Sequence, residues 1–333
     1  MLEKPNLSDV KIQTSLHMFW EIQSRQLDFL PIGNDASSGV YHVETDTKHY
    51  FLKIRKGTPH LSFLQIPHYL RQNGSQNVVA PIPTQTGDLY TSVDDYALIL
   101  YDWIHGTSAW DITLSDEQWQ TWGTIMRRIH DTPISTSLSA IVPSETFISK
   151  WNNIVTQVNH LVKTQTFHDP IRQELANYWN DHQAIIDRCY ARLQEIGHQL
   201  QQQSFQFVIC HADIHQANIM IDEQKKIHIV DWDEVIIAPK ERDLMFFVED
   251  GHASHIVEAF LKGYGETEIN QLAITYYKYD WVVQELGDYG ERIFLNNDLS
   301  ATEKQFSMDE FKRLFSAGDV VEAAFASDKK LSG

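Results

Sequence analysis

Two short stretches hold the side chains of this chain best suited to chemistry: His211-Ala212-Asp213-Ile214-His215-Gln216-Ala217-Asn218 and, eighteen residues after Asp213, Asp231-Trp232-Asp233. A carboxylate such as Asp213 can orient an attacking hydroxyl and accept its proton. Oxygen donors such as those of Asn218 and Asp231 are hard ligands suited to Mg2+. Together these are the parts that phosphoryl transfer from a nucleotide requires. One Asp before a turn carries no such message, because Asp there commonly hydrogen-bonds its own backbone. The spacing of the full set, with an apolar run before each part, is what makes it specific.

The elements that must position these groups are legible as apolar runs. Phe205 to Cys210, Ile219-Met220-Ile221 and Ile227 to Val230 predict strand, loop, strand, turn, strand, with polar Asp222 to Lys226 as the turn. The loop brings Asp213 and Asn218 in from its two ends, and the next strand delivers Asp231 to the same face. Nearer the N-terminus, Gln26 to Ile32, Gly39 to Glu44 and His49 to Ile54 predict three strands, with turns at Gly33-Asn34-Asp35 and Thr45-Asp46-Thr47. On the third, Lys53 faces opposite to Leu52 and Ile54. That placement suits an exposed strand lysine or one aimed at phosphates. Leu30 to Val40 lacks a glycine-rich signature, but its small residues let backbone amides and the Ser37 or Ser38 hydroxyls approach an anion. A plain hairpin loop explains the same residues. Tyr96 to Ile104 predicts a strand that His105-Gly106 ends.

H-A-D-I-H-Q-A-N followed by I-V-D-W-D resembles the aminoglycoside phosphotransferase and choline kinase superfamily. The continuation Pro239-Lys240-Glu241-Arg242-Asp243-Leu244 fits its aminocyclitol-phosphorylating branch. The resemblance covers nearly the whole chain and implies an α+β, protein-kinase-like fold of two lobes. Residues 1–103 would be a nucleotide-binding lobe built on an antiparallel sheet, and residues 104–333 a larger, mainly helical lobe with the catalytic loop and acceptor site. It implies Asp213 as the base, Asn218, Asp231 and Asp233 at the metal, and Lys53 on the α- and β-phosphates. Backbone groups of Tyr101, Asp102 and Trp103 would meet the adenine, with His211 and Asp243 supporting the loop. For Asp243 a helix N-cap is the equal alternative. The implied cofactors are ATP, with GTP not excluded, and Mg2+.

Four departures from the protein-kinase pattern are informative. Ala212 stands where those enzymes carry an arginine that reads activation-loop phosphorylation, Trp232-Asp233 replace Phe-Gly, and no A-P-E segment follows. The site is therefore expected to be active without such a switch. No Asp or Glu occurs between Lys53 and Gly87, so the usual helix glutamate partner of the lysine is missing. His60 to Leu70 predicts the corresponding helix, with Pro67 kinking it or ending its first segment. Its Gln65 can hydrogen-bond a lysine but cannot neutralise one.

The rest reads mostly helical: Gln118 to His130 behind the start signal Ser115-Asp116-Glu117, one long amphipathic helix from Ile171 to Leu200, and helices at His255 to Gly263, Asn270 to Gly287 and Asp309 to Ala326. Ser135 to Ser139 reads as a loop. Forty-five acidic against 27 basic residues, a balance of −18, argue against nucleic acid and anionic membrane as partners and favour a cationic small-molecule acceptor. Trp281, Glu285 and Asp288 lie at helical spacing and are the candidate acceptor wall; a solvated acidic face is the alternative. Without a long apolar run or a leader-like N-terminus, a cytoplasmic enzyme is expected, monomeric or homodimeric. Cys189 and Cys210 sit in apolar runs without metal-binding spacing and read as reduced core thiols. The acceptor classes in view are an aminoglycoside or an aminocyclitol such as spectinomycin, or a metabolite such as choline, ethanolamine, homoserine or a sugar. A catalytically silent nucleotide-binding protein is the reading from another class.

Overall fold

The computed structural model describes residues 4–32, 38–248, 252–297 and 299–331. The chain forms two compact units: Met1–Pro143 with Val208–Ile237 and Glu258–Gly265, and Ser144–Phe207 with Ala238–Val257 and Glu266–Gly333. These units do not coincide with the lobes expected at 103/104: residues 104–143, 208–237 and 258–265 pack with the first unit.

The first unit opens with helix α1 (Asp9–Trp20), whose N-cap Ser8 accepts from the Lys11 amide. There follow β1 (Gln26–Leu30), β2 (Ser38–Glu44), β3 (His49–Lys56), α2 (Leu61–Gln72), β4 (Thr91–Val93) and β5 (Tyr96–Asp102). The strands form one antiparallel sheet in the order β1-β2-β3-β5-β4. Alternation divides its faces. Tyr41, Val43, Leu52, Ile54, Leu98 and Leu100 pack against Ile12, Leu16 and Trp20 of α1. Full burial of each large aliphatic side chain contributes about 1.5–3 kcal/mol, so a one-residue slip is heavily penalised. The opposite face therefore carries Lys53, flanked in register by Val40 and Ile99. The sequence reading did not anticipate α1, yet α1 is what holds Leu52 and Ile54 in place.

Helix α2 runs on through Pro67, so of the two expected effects the proline does not end the helix. Leu64, Ile66, Pro67 and Leu70 are all buried, and that packing offsets the hydrogen bond the proline removes. Next come β6 (Gly106–Ser108), α3 (Asp116–His130) with the Ser115–Gln118 capping box, and α4 (Thr136–Ser139). The short α4 corrects the expected loop: Ser135 accepts from the Leu138 amide and starts a turn of helix.

In the second unit, α5 (Asn152–Thr164), absent from the sequence reading, precedes α6 (Pro170–Asp181) and α7 (Gln183–Leu200). The single helix expected over Ile171 to Leu200 is thus two. Asn180, Asp181 and His182 are weak helix formers, and the break falls at His182, whose ring bonds the Tyr178 carbonyl and stacks on the Tyr178 ring. The chain continues through β7 (Phe207–Cys210), β8 (Ile219–Asp222), β9 (Ile227–Ile229), β10 (Ile236–Pro239), α8 (Glu241–Val248), α9 (Ser254–Tyr264), α10 (Gln271–Gly290), α11 (Ala301–Arg313) and α12 (Val320–Lys330). The helix expected over Asp309 to Ala326 is split between α11 and α12 because Gly318 adopts φ 82° and Asp319 caps the new start. Long α10 is the centre of the second unit, packing on α5, α7, α8, α11 and α12. Both cysteines are buried, and burial pushes the Cys189 thiol up to about 12, as expected of inert core thiols.

In the first unit, β6, β8 and β9 form a three-stranded sheet. Gly106 is required there: a Cβ would lie 2.2 Å from the Ile221 carbonyl oxygen. Ile12, fully buried under the five-stranded sheet, tests the docking of α1. Ile12→Ala is expected to cost about 2–5 kcal/mol in urea unfolding, and a loss below 1 kcal/mol would show that α1 does not hold the sheet.

Candidate active site

The loop between β7 and β8 is shaped by His211, which is fully buried. Its Nδ1 accepts from the Asp213 amide at 3.3 Å, which leaves Nε2 to donate to the Val230 carbonyl at 2.9 Å. One neutral tautomer satisfies both bonds, and it ties the start of the loop to the residue before Asp231. Trp232 turns inward, packs its ring on His211 at 4.6 Å, and directs Nε1 to the Ile229 carbonyl. Between these anchors Ala212 and Asp231 both adopt left-handed backbone, φ 69° and 59°. Strain of this kind persists only where the surroundings over-determine it.

Asn218 ends a short 3-10 turn (Gln216–Asn218) that the His215 side chain caps. Its Nδ2 donates to the Asp213 carbonyl at 2.8 Å and to Asp213 Oδ2 at 3.0 Å. Both acceptors lack protons to give, so the amide orientation is settled and Oδ1 faces away as an oxygen donor. Asp213 Oδ1 lies 3.5 Å from His215 Nε2, and the Asp213 side chain is 38% exposed, within reach of an incoming hydroxyl. The Asn218 carbonyl accepts from the Val230 amide, which carries the register forward to Asp231.

Lys53 meets the acids from the five-stranded sheet. Its Nζ lies 2.8 Å from Asp233 Oδ2 and 3.4 Å from Asp231 Oδ1. Burial alone would lower its pKa, but the two carboxylates outweigh burial and hold it above the ordinary lysine value. It is a fixed cation at any physiological pH. Its hydrogen bonds go to these two acids, which take the place that Gln65 was expected to fill. The loop from Asn77 to Val79 pins the acidic segment to this unit: the Ile229 amide donates to the Asn77 carbonyl and the Val79 amide to the Ile229 carbonyl.

The other anticipated residues fall as follows. Ser38 is buried at the start of β2, and Ser37 lies outside the described residues with the loop before it. Tyr101 pairs in register with Phe51 on the Lys53 face; burial raises its hydroxyl pKa, which Lys53 opposes. Asp102 is exposed, 3.7 Å from Lys48, and Trp103 packs on His42 at 4.4 Å. Asp243 is fully buried in the second unit, inside the first turn of α8 and so not its N-cap. On α10, Trp281 Nε1 donates to Glu285 Oε1 at 3.1 Å, whereas Asp288 is held by Arg292 at 2.7 Å. Sequence reasoning missed Arg55, whose Nη1 reaches Asp233 Oδ2 at 2.9 Å. The signal was present: a residue two beyond Lys53 on a strand shares its face.

An acid tied to an amide in a loop, a second acid two residues past the end of β9 and a largely buried lysine from an antiparallel sheet are the parts of a kinase-type site. The profile of the phosphotransferase enzyme family matches residues 28–280, and the chain belongs to that family. It is a small-molecule kinase of α+β fold. Among solved structures, a spectinomycin phosphotransferase in complex with ADP and spectinomycin superposes with a TM-score of 0.88 at 27% identity, covering 98% of this chain and 99% of that one. The fold extends to a kanamycin- and GDP-bound phosphotransferase (TM-score 0.61, 14% identity, 96% and 100% covered). It extends also to a choline kinase from Streptococcus pneumoniae (0.56, 14%, 95% and 98%). Among the described residues no helix is long and apolar enough to cross a membrane.

His211→Phe keeps an aromatic ring and deletes both hydrogen bonds, leaving the Val230 carbonyl and the Asp213 amide unsatisfied. It is expected to cost about 1–3 kcal/mol in chemical denaturation. Unchanged stability would mean that the His211 bridge does not hold the loop.

Proposed function

We propose that this chain transfers the γ-phosphoryl group of ATP, with Mg2+, to a hydroxyl of a small cationic acceptor of the aminocyclitol or aminoglycoside class, spectinomycin foremost. The observation that carries the reading is the convergence of Asp213, Asn218, Asp231 and Lys53 in one hydrogen-bonded and ion-paired set. In the reaction the acceptor oxygen forms a bond to phosphorus as the bond to the bridging oxygen breaks, and ADP leaves. Asp213 orients the hydroxyl and takes its proton. Lys53 meets the phosphate oxygens, and residues 1–103 serve as the nucleotide-binding lobe, with Tyr101 to Trp103 beside the base.

Oxygen donors fit a hard cation, and both Asn218 Oδ1 and the half-exposed Asp231 carboxylate offer them, with Asp233 close by. When bound there, Mg2+ neutralises charge on the transferring phosphoryl group. A cationic acceptor is supported by the net charge of −18 and by the Trp281–Glu285 pair, which joins an aromatic face to a carboxylate. Asp288, already paired with Arg292, contributes less charge to that surface.

Mg2+-dependent nucleotide consumption by purified protein, measured against spectinomycin, other aminoglycosides, choline and homoserine, tests the proposal. Stimulation by spectinomycin is the expected result; stimulation by choline or homoserine alone would transfer the enzyme to metabolism. Asp213→Ala is expected to lower turnover by about 10²–10⁴ while nucleotide affinity hardly changes. Asp231→Ala should instead weaken binding of the magnesium–nucleotide complex, and intact binding would remove Asp231 from the metal site.

A further inference from the structure

We infer that Asp233 and Arg55 together replace the missing helix glutamate: Arg55 is a positioning residue that holds Asp233, and Asp233 holds Lys53 in place for the nucleotide phosphates. The inference rests on the phosphotransferase reading above and adds a residue to it. A lysine side chain only 13% exposed needs a close counter-charge. Helix α2 supplies none, since no acid lies between Lys53 and Gly87. The charge comes instead from two residues past Asp231. Asp233 Oδ2 accepts from Lys53 Nζ at 2.8 Å and from Arg55 Nη1 at 2.9 Å, so one oxygen bridges two cations on the same strand face.

The placement of Arg55 follows from the pleat. Residues two apart on β3 share a face and stand about 7 Å apart, a span one carboxylate can bridge. Beyond the bridge, the Arg55 guanidinium stacks at 5.9 Å over the ring of Phe63, a residue of α2. The helix that would carry the glutamate thus offers an aromatic face to a cation, and the cation carries the acid. Asp233 is 30% exposed, against 50% for Asp231. The two acids divide the work: Asp233 faces the fixed cations, and the more open Asp231, 3.4 Å from Lys53, is left for the metal.

Titration of Mg-ADP into wild type, Arg55→Met, Asp233→Asn and the double variant tests this division, with thermal unfolding as the check on folding. Each single variant is expected to weaken Kd about tenfold, the effect of one charge-assisted hydrogen bond. The double variant should be no weaker than the weaker single, because both act through one contact. Arg55→Lys should recover most of the loss. Should Arg55→Met fail to fold, Arg55→Gln takes its place in the cycle. Wild-type affinity in the Arg55 variant, or losses that multiply in the double variant, would overturn the inference. So would recovery of Asp233→Asn at saturating Mg2+, which would make Asp233 a metal ligand. Wild type that binds no Mg-ADP would instead defeat the phosphotransferase reading itself.

Discussion

The largely buried ammonium of Lys53 is the constraint around which the first unit is organised. Removing a charged amine from water costs several kcal/mol unless an opposite charge stands close, and carboxylates at 2.8 and 3.4 Å meet that condition. To bring them there, the segment after β9 must lie under the open face of the five-stranded sheet. The hydrogen bonds from residues 77–79 to β9 place it there. The opposite face must be sealed, which is the work of α1. Sheet orientation, α1 and the acidic segment are therefore parts of one arrangement.

The loop between β7 and β8 shows a second dependence. His211, Trp232 and Val230 make a small rigid block, and the two residues forced into left-handed backbone, Ala212 and Asp231, lie next to it. Such backbone costs about 1–2 kcal/mol per residue away from glycine. Here it aims Asp213 and Asp231 outward from a buried scaffold. A carboxylate held by main-chain geometry and a neighbouring amide does not depend on an exposed loop finding its shape.

The absence of a helix glutamate could be read as loss of function. The placement of Arg55 and Asp233 argues otherwise, because the charge balance around the lysine is kept while its source moves. Two cations and two carboxylates still meet within the same small volume. What changes is the element that bears the balancing charge, from α2 to the segment that also bears Asp231.

Much of this was legible in the sequence by itself. The strands around Asp213, Asn218 and Asp231, the alternation that sets Lys53 against Leu52 and Ile54, and the capped start of α3 follow from local chemistry, and the structure bears each of them out. Local patterns decide those features because strand periodicity and capping act within a few residues. The tertiary structure decided the rest. Whether Pro67 ends a helix, whether residues 171–200 form one helix or two, and whether a four-residue turn forms at Thr136 depend on packing that overrides weak propensities. The partner of Lys53 is the clearest case. Asp233 lies 180 residues away along the chain, and only the fold brings that carboxylate within 2.8 Å. Ion pairing acts through distance in space, which one-dimensional spacing does not encode.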